Sequence, residues 1–169
     1  MASFASRTMQ KLFSARLLLE HLADADNQDE LVRPAFKTAH IEAVLFQMQG
    51  AFQSLLYEIA DTARLPKGEW HDSQDLQAAA EQYERFLPQL NVLLELENDS
   101  FSWLSQFQKR YKSCWLPEYQ VVTEVKEQAA AASLISVAND AISDQQQLTL
   151  WLESMQALIK DLRLTMQEF

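Results

Sequence analysis

Glycine is nearly missing from this chain: Gly50 and Gly68 are the two glycines in 169 residues, where average usage would give about 12. Glycine supplies the positive-φ positions of hairpin turns and phosphate-cradling loops. Its scarcity leaves little room for a β-sheet and none for a Gly-rich nucleotide loop. Cysteine is down to one, Cys114, so no intramolecular disulfide can form, which suits a reducing compartment. Basic residues are outnumbered, 14 Lys and Arg against 24 Asp and Glu, for a net charge of −10. Such a chain repels phosphate backbones overall, which argues against nucleic acid as a partner and for a basic protein partner or plain solubility. No apolar run approaches the roughly 18 residues of a membrane-spanning helix, so no membrane partner is expected.

The motifs of several enzyme classes are absent too. A di-metal helical bundle needs Glu-x-x-His on two helices with further carboxylates; the residues three before His21, His40 and His71 are Leu18, Lys37 and Gly68. With no His pair at i, i+4 and a single thiol, no zinc site is expected. Gly50 and Gly68 stand too far apart for a Gly-x-Ser-x-Gly elbow. Cys114, beside Lys112 at a helix end, reads as a partly buried structural residue in preference to a reactive thiol. No catalytic, cofactor-binding or metal-ligating residue is therefore assigned.

What is present is helix. Hydrophobic residues make up 48% of the chain, enough for a real core at this length. The prolines Pro34, Pro66, Pro88 and Pro117 fall between periodic segments or at their starts, where helices tolerate them. A first helix over about residues 5–24 carries the stripe Met9, Leu12, Phe13, Leu19 and Leu22, widened by Ala15 and Leu18. Its early Arg7, Lys11 and Arg16 would also suit a transit peptide, but the stripe runs on unbroken, as in a first bundle helix. A second helix, Pro34–Arg64, is apolar around more than half its circumference and should be central. Gly50 within it, on a small-residue line with Ala39, Ala43 and Ser54, reads as a point where a neighbouring helix comes close; a solvent-facing glycine is the alternative.

Asp72 or Ser73 caps a third helix that carries Leu76, Ala79, Ala80, Tyr83, Phe86 and Leu87 until Pro88 breaks it, leaving a short piece with Leu90, Leu93, Leu94 and Leu96. Residues Glu97–Ser100 form a turn and a cap, and a fourth helix runs from Phe101 to Ser113. A helix is also read between Pro117 and Asn139, looser toward its end. The last helix opens on a capping box, Ser143 with Gln146. Its seam of Leu148, Trp151, Leu152, Met155, Leu158, Ile159, Leu162, Met166 and Phe169 serves packing within the chain or across a dimer.

Arg7-Thr8-Met9-Gln10-Lys11-Leu12 followed by Ala15-Arg16-Leu17-Leu18-Leu19-Glu20, then Glu42–Phe46, Gly50–Phe52, Glu58–Ala60 and Arg64-Leu65-Pro66, resemble a small uncharacterised family of γ-proteobacterial helical proteins. Ser102-Trp103-Leu104 and Met166–Phe169 are similar as well, while Glu118–Asn139 lies outside the resemblance. It implies a bacterial cytoplasmic helical protein of unknown function and brings no activity and no site residues.

Two polar readings remain. Arg16 and His21 fit the Arg-x4-His spacing of some helical ribonuclease-type domains, although on an ideal helix the two side chains point about 140° apart. Arg16, close to the stripe of its helix, could instead pair Glu42 or Glu58 across the first two helices, or reach solvent. The whole chain, 1–169, is thus expected to be one all-α domain, an antiparallel bundle of four main helices plus one or two short ones. The function is unknown, and the best reading is a non-catalytic protein-interaction or regulatory protein of the cytoplasm, with a protein partner or as a homodimer. The alternatives are a ligand-binding bundle with an apolar cavity around the second helix, and the Arg-x4-His ribonuclease. Trp70, Trp103 and Trp115, near loops and helix ends, are either exposed hot spots or plugs of the bundle.

Overall fold

The structure, a computed structural model, describes residues 3–116 and 142–167. Among these residues it is all-helical and without strands, built of α1 (Phe4–Leu22), α2 (Arg33–Thr62), α3 (Ser73–Gln82), α4 (Pro88–Asn98), α5 (Trp103–Ser113) and α6 (Asp144–Gln167), with a 3-10 turn at Ala23–Asn27 after α1. The helix read between Pro117 and Asn139 and the end of the last seam at Phe169 lie outside the described residues.

Local chemistry accounts for the helix starts. The Ser3 hydroxyl accepts from Ser6 N–H, Asp72 Oδ1 from Asp75 N–H, and Ser102 Oγ from Ser105 N–H, each satisfying a donor that the first helical turn leaves free. Pro34 and Pro88 sit in the first turns of α2 and α4, where their missing N–H costs nothing. The capping box of α6 forms as expected, with Gln146 N–H donating to Ser143 Oγ and Ser143 N–H to Gln146 Oε1.

The helix stops show how the chain manages with so little glycine. Both α2 and α3 end in a Schellman motif, the turn in which a left-handed residue reverses the backbone. After α2, Leu65 N–H donates to Ala60 C=O and Arg64 N–H to Asp61 C=O; after α3, Arg85 N–H donates to Ala80 C=O and Glu84 N–H to Glu81 C=O. The left-handed position is held by Arg64 (φ 54°) and Glu84 (φ 52°), side chains that cost about 1–2 kcal/mol there. The third helix therefore stops at Gln82, short of the expected break at Pro88. Phe86 lies outside it and is exposed.

Helix α2 is central, packing against α1, α3, α5 and α6. Its Val44, Leu45, Met48, Phe52, Leu55, Leu56 and Ile59 are all fully buried. Helix α1 runs antiparallel to it, with Thr8 meeting Glu58 at one end and His21 approaching His40 at the other. The seam of α6 closes the core from within the chain through Leu148, Trp151, Leu152, Met155, Ile159 and Leu162.

The stripe expected on α1 needs correction. Leu12, Ala15, Leu19 and Leu22 are buried, but Met9 is 51% and Phe13 58% exposed. The buried line is Thr8, Leu12, Ala15, Leu19 and Leu22, one helical row at steps of three and four; Met9 and Phe13 stand one residue, about 100°, off it. The polar Thr8 takes the inward place because a buried carboxylate waits opposite.

Candidate functional site

That carboxylate belongs to Glu58, 7% exposed, on the α2 face where α1 and α6 meet. Arg163 of α6 grips it with two prongs, Nε to Oε2 at 2.9 Å and Nη2 to Oε1 at 2.8 Å, and Nη2 also reaches Ala5 C=O at 3.1 Å. Thr8 Oγ1 bonds Glu58 Oε1 as well. A buried carboxylate is tolerated only when paired and hydrogen-bonded, and both of its oxygens are satisfied here. This cluster ties three helices together at one end of the bundle. None of its three side chains lines the clefts described below, and it acts as a structural clamp.

Beside the clamp, α1, α2 and the end of α5 leave a half-open groove of 290 Å³, lined by Phe4, Arg7, Lys11, Phe46, Gln49, Gly50, Gln53, Ser54, Tyr57 and Tyr111. Gly50 shapes it. A Cβ there would meet Lys11 Cε at 3.0 Å and Cδ at 3.1 Å, so the close approach expected at Gly50 is that of a lysine stem. Laid across Gly50, Lys11 donates from Nζ to Gln47 Oε1 at 2.9 Å and stands 5.7 Å over the Phe46 ring. Partial desolvation, followed by repulsion from Arg7, pulls its pKa below the ordinary lysine value, so this ammonium gains from an anion beside it.

The rim of the groove is aromatic. Phe4 stacks on Tyr57 at 4.9 Å, and Tyr111 meets Trp115 edge-on at 6.1 Å. Phe46 is 53% and Trp115 69% exposed. The three tryptophans near loops and helix ends thus divide: Trp70 is buried, Trp103 packs partly buried against the core, and Trp115 stands outside. Gln49 and Tyr111 also line a larger neighbouring cleft of 750 Å³, whose walls are mostly polar: Gln74, Gln77, Glu97, Asn98, Gln108 and Lys112 among them. This polar cleft, although Phe52 is among its lining residues, is not the apolar cavity expected around the second helix; Met48 is packed into the core.

Residues singled out from sequence fall elsewhere. Arg16 does not pair with Glu42 or Glu58: it bonds its own-helix neighbour Glu20 at 3.0 Å on the surface, while Arg163 takes Glu58. An exposed i, i+4 partner is within easy reach of a long side chain, and Arg163 approaches the buried carboxylate from a helix that the sequence displays only as an apolar seam. His21 turns toward His40, with ring centroids 6.3 Å apart, and His40 stacks on Phe36 at 3.9 Å. Among the described residues no group of three His, Cys, Asp or Glu could hold a metal ion. Cys114 is half-buried, and its thiol pKa is raised by burial first and by Glu42 next, against a smaller lowering by Arg110, the reverse of thiolate activation. No helix among the described residues is long and apolar enough to cross a membrane.

Fold and groove together define an all-α bundle with an aromatic, cationic surface groove. The chain belongs to DUF6586, a family of unknown function, whose family model matches residues 1–169. No curated protein and no solved structure matches it.

Proposed function

We propose that this chain is a non-catalytic interaction module of the bacterial cytoplasm that docks a protein partner on the face formed by α1, α2 and the end of α5. One observation carries the reading: Phe4 and Phe46 are exposed in a groove that also holds Arg7, Lys11 and two tyrosines, and Trp115 stands exposed against one of them, Tyr111. Tryptophan, tyrosine and arginine dominate binding hot spots, because they present large contact area together with a hydrogen-bonding or charged end. The test is affinity capture of the tagged chain from native lysate, with and without RNase, beside a Phe46→Ala/Trp115→Ala variant. A partner enriched in both RNase arms and lost with the variant supports docking here. A partner that the variant retains, or none, overturns it.

A second reading, ligand binding, is favoured by a 400 Å³ cleft where Ile59, Ala63, Phe86, Leu87, Pro88 and Met166 meet. It predicts thermal stabilisation by small apolar compounds that Phe86→Ala abolishes, and a flat screen counts against it.

A further inference from the structure

We infer that the groove between α1, α2 and α5 recognises an acidic protein segment, with a carboxylate between Lys11 and Arg7 and a neighbouring apolar side chain against Phe4 and Phe46; this rests on the docking reading above. Charge points the same way. The chain carries ten more acids than bases, yet none of the described residues lining this groove is acidic and two are cations. Helix α1 supplies both, and over its whole length it has Arg7, Lys11 and Arg16 against the single acid Glu20.

The Lys11 head is also held ready. Its stem lies on Gly50 and its ammonium is fixed by Gln47 Oε1, which occupies one of three donors. The others remain for a carboxylate, and little side-chain freedom is left to lose on binding. Size favours a segment over an enclosed small molecule: 290 Å³ lies at the lower limit, roughly 300 Å³, of small-molecule pockets.

The test is peptide display selection on the full chain, wild type and Arg7→Glu/Lys11→Glu, with helical circular dichroism to establish that both are folded. The wild type is expected to enrich peptides combining Asp or Glu with Phe, Trp or Leu, and the charge-reversed variant to enrich basic ones. The best acidic peptide should bind about 1.5- to fivefold more weakly to Lys11→Ala, the usual range for one exposed charge pair, and should weaken with salt. Gly50→Ala keeps every charge but displaces the Lys11 stem, so it should weaken the same peptide. Peptides without acids, or acidic peptides indifferent to the charge reversal, overturn the acidic-segment inference while docking on this face stands. No enriched peptide at all overturns the docking reading and this inference with it.

Discussion

Removing Arg163 should unfold this protein at markedly lower denaturant. In Arg163→Met the Glu58 carboxylate, 7% exposed, loses both guanidinium bonds and keeps only the Thr8 hydroxyl. Breaking a buried pair from one side costs about 3–5 kcal/mol, because the remaining charge is left uncompensated. Domain stabilities are about 5–15 kcal/mol, so this is a large share of the total. At about 2–4 °C per kcal/mol for a chain of this size, the melting temperature should fall by roughly 6–20 °C. The double variant Glu58→Met/Arg163→Met removes both charges and should recover most of the loss, since apolar replacement of a buried ion pair is often neutral or better; Thr8 retains Phe4 C=O at 3.0 Å. Urea unfolding of wild type, both single variants and the double variant closes the thermodynamic cycle. An Arg163→Met loss below about 1 kcal/mol, the range of exposed pairs, or a coupling energy near zero, would refute the reasoning.

Three further outcomes are expected. A Cβ at Gly68 would lie 2.7 Å and 2.8 Å from the Trp70 ring, so Gly68→Ala should displace that buried indole at a cost of about 1–3 kcal/mol. Red-shifted tryptophan fluorescence together with the lower urea midpoint checks it, and an unshifted spectrum counts against the packing described. Arg64→Gly and Glu84→Gly place glycine at the two left-handed turn positions, and each should stabilise by about 0.5–1 kcal/mol, the strain relieved exceeding the added chain entropy; a lower midpoint in either would contradict the Schellman assignment. Burial and Glu42 raise the Cys114 thiol pKa, so alkylation by iodoacetamide at pH 8 should be slower than for free cysteine. Glu42→Gln should speed it by lowering that pKa, and an unchanged rate would remove Glu42 as a cause.

The clamp and the groove were legible in unequal parts. Glu58 entered the sequence reading only as one of two acids, with Glu42, that Arg16 on the preceding helix could pair. Its actual partner, Arg163, lies 105 residues away. Gly50 was marked as a place where a neighbouring helix comes close; what lies on it is the side-chain stem of Lys11, read in the sequence only as part of a basic start. Phe46 and Tyr57 gave no signal at all, because an aromatic residue on a helix so apolar looks like core wherever it points.

Scarce glycine, proline placement, capping residues and three- to four-residue periodicity were enough to determine that the chain is helical, where most of its helices begin, and that the second lies at the centre. Those are properties of short stretches, and short-range hydrogen bonding and side-chain periodicity dictate them. The rotation of α1 that buries Thr8 and exposes Met9 and Phe13, the choice of Arg163 for Glu58, and the gathering of Lys11, Phe46 and Tyr111 into one groove were decided only by tertiary structure. Each depends on the angle and register at which separate helices pack. Those are set by the fit of all their side chains at once, which no single stretch of sequence contains.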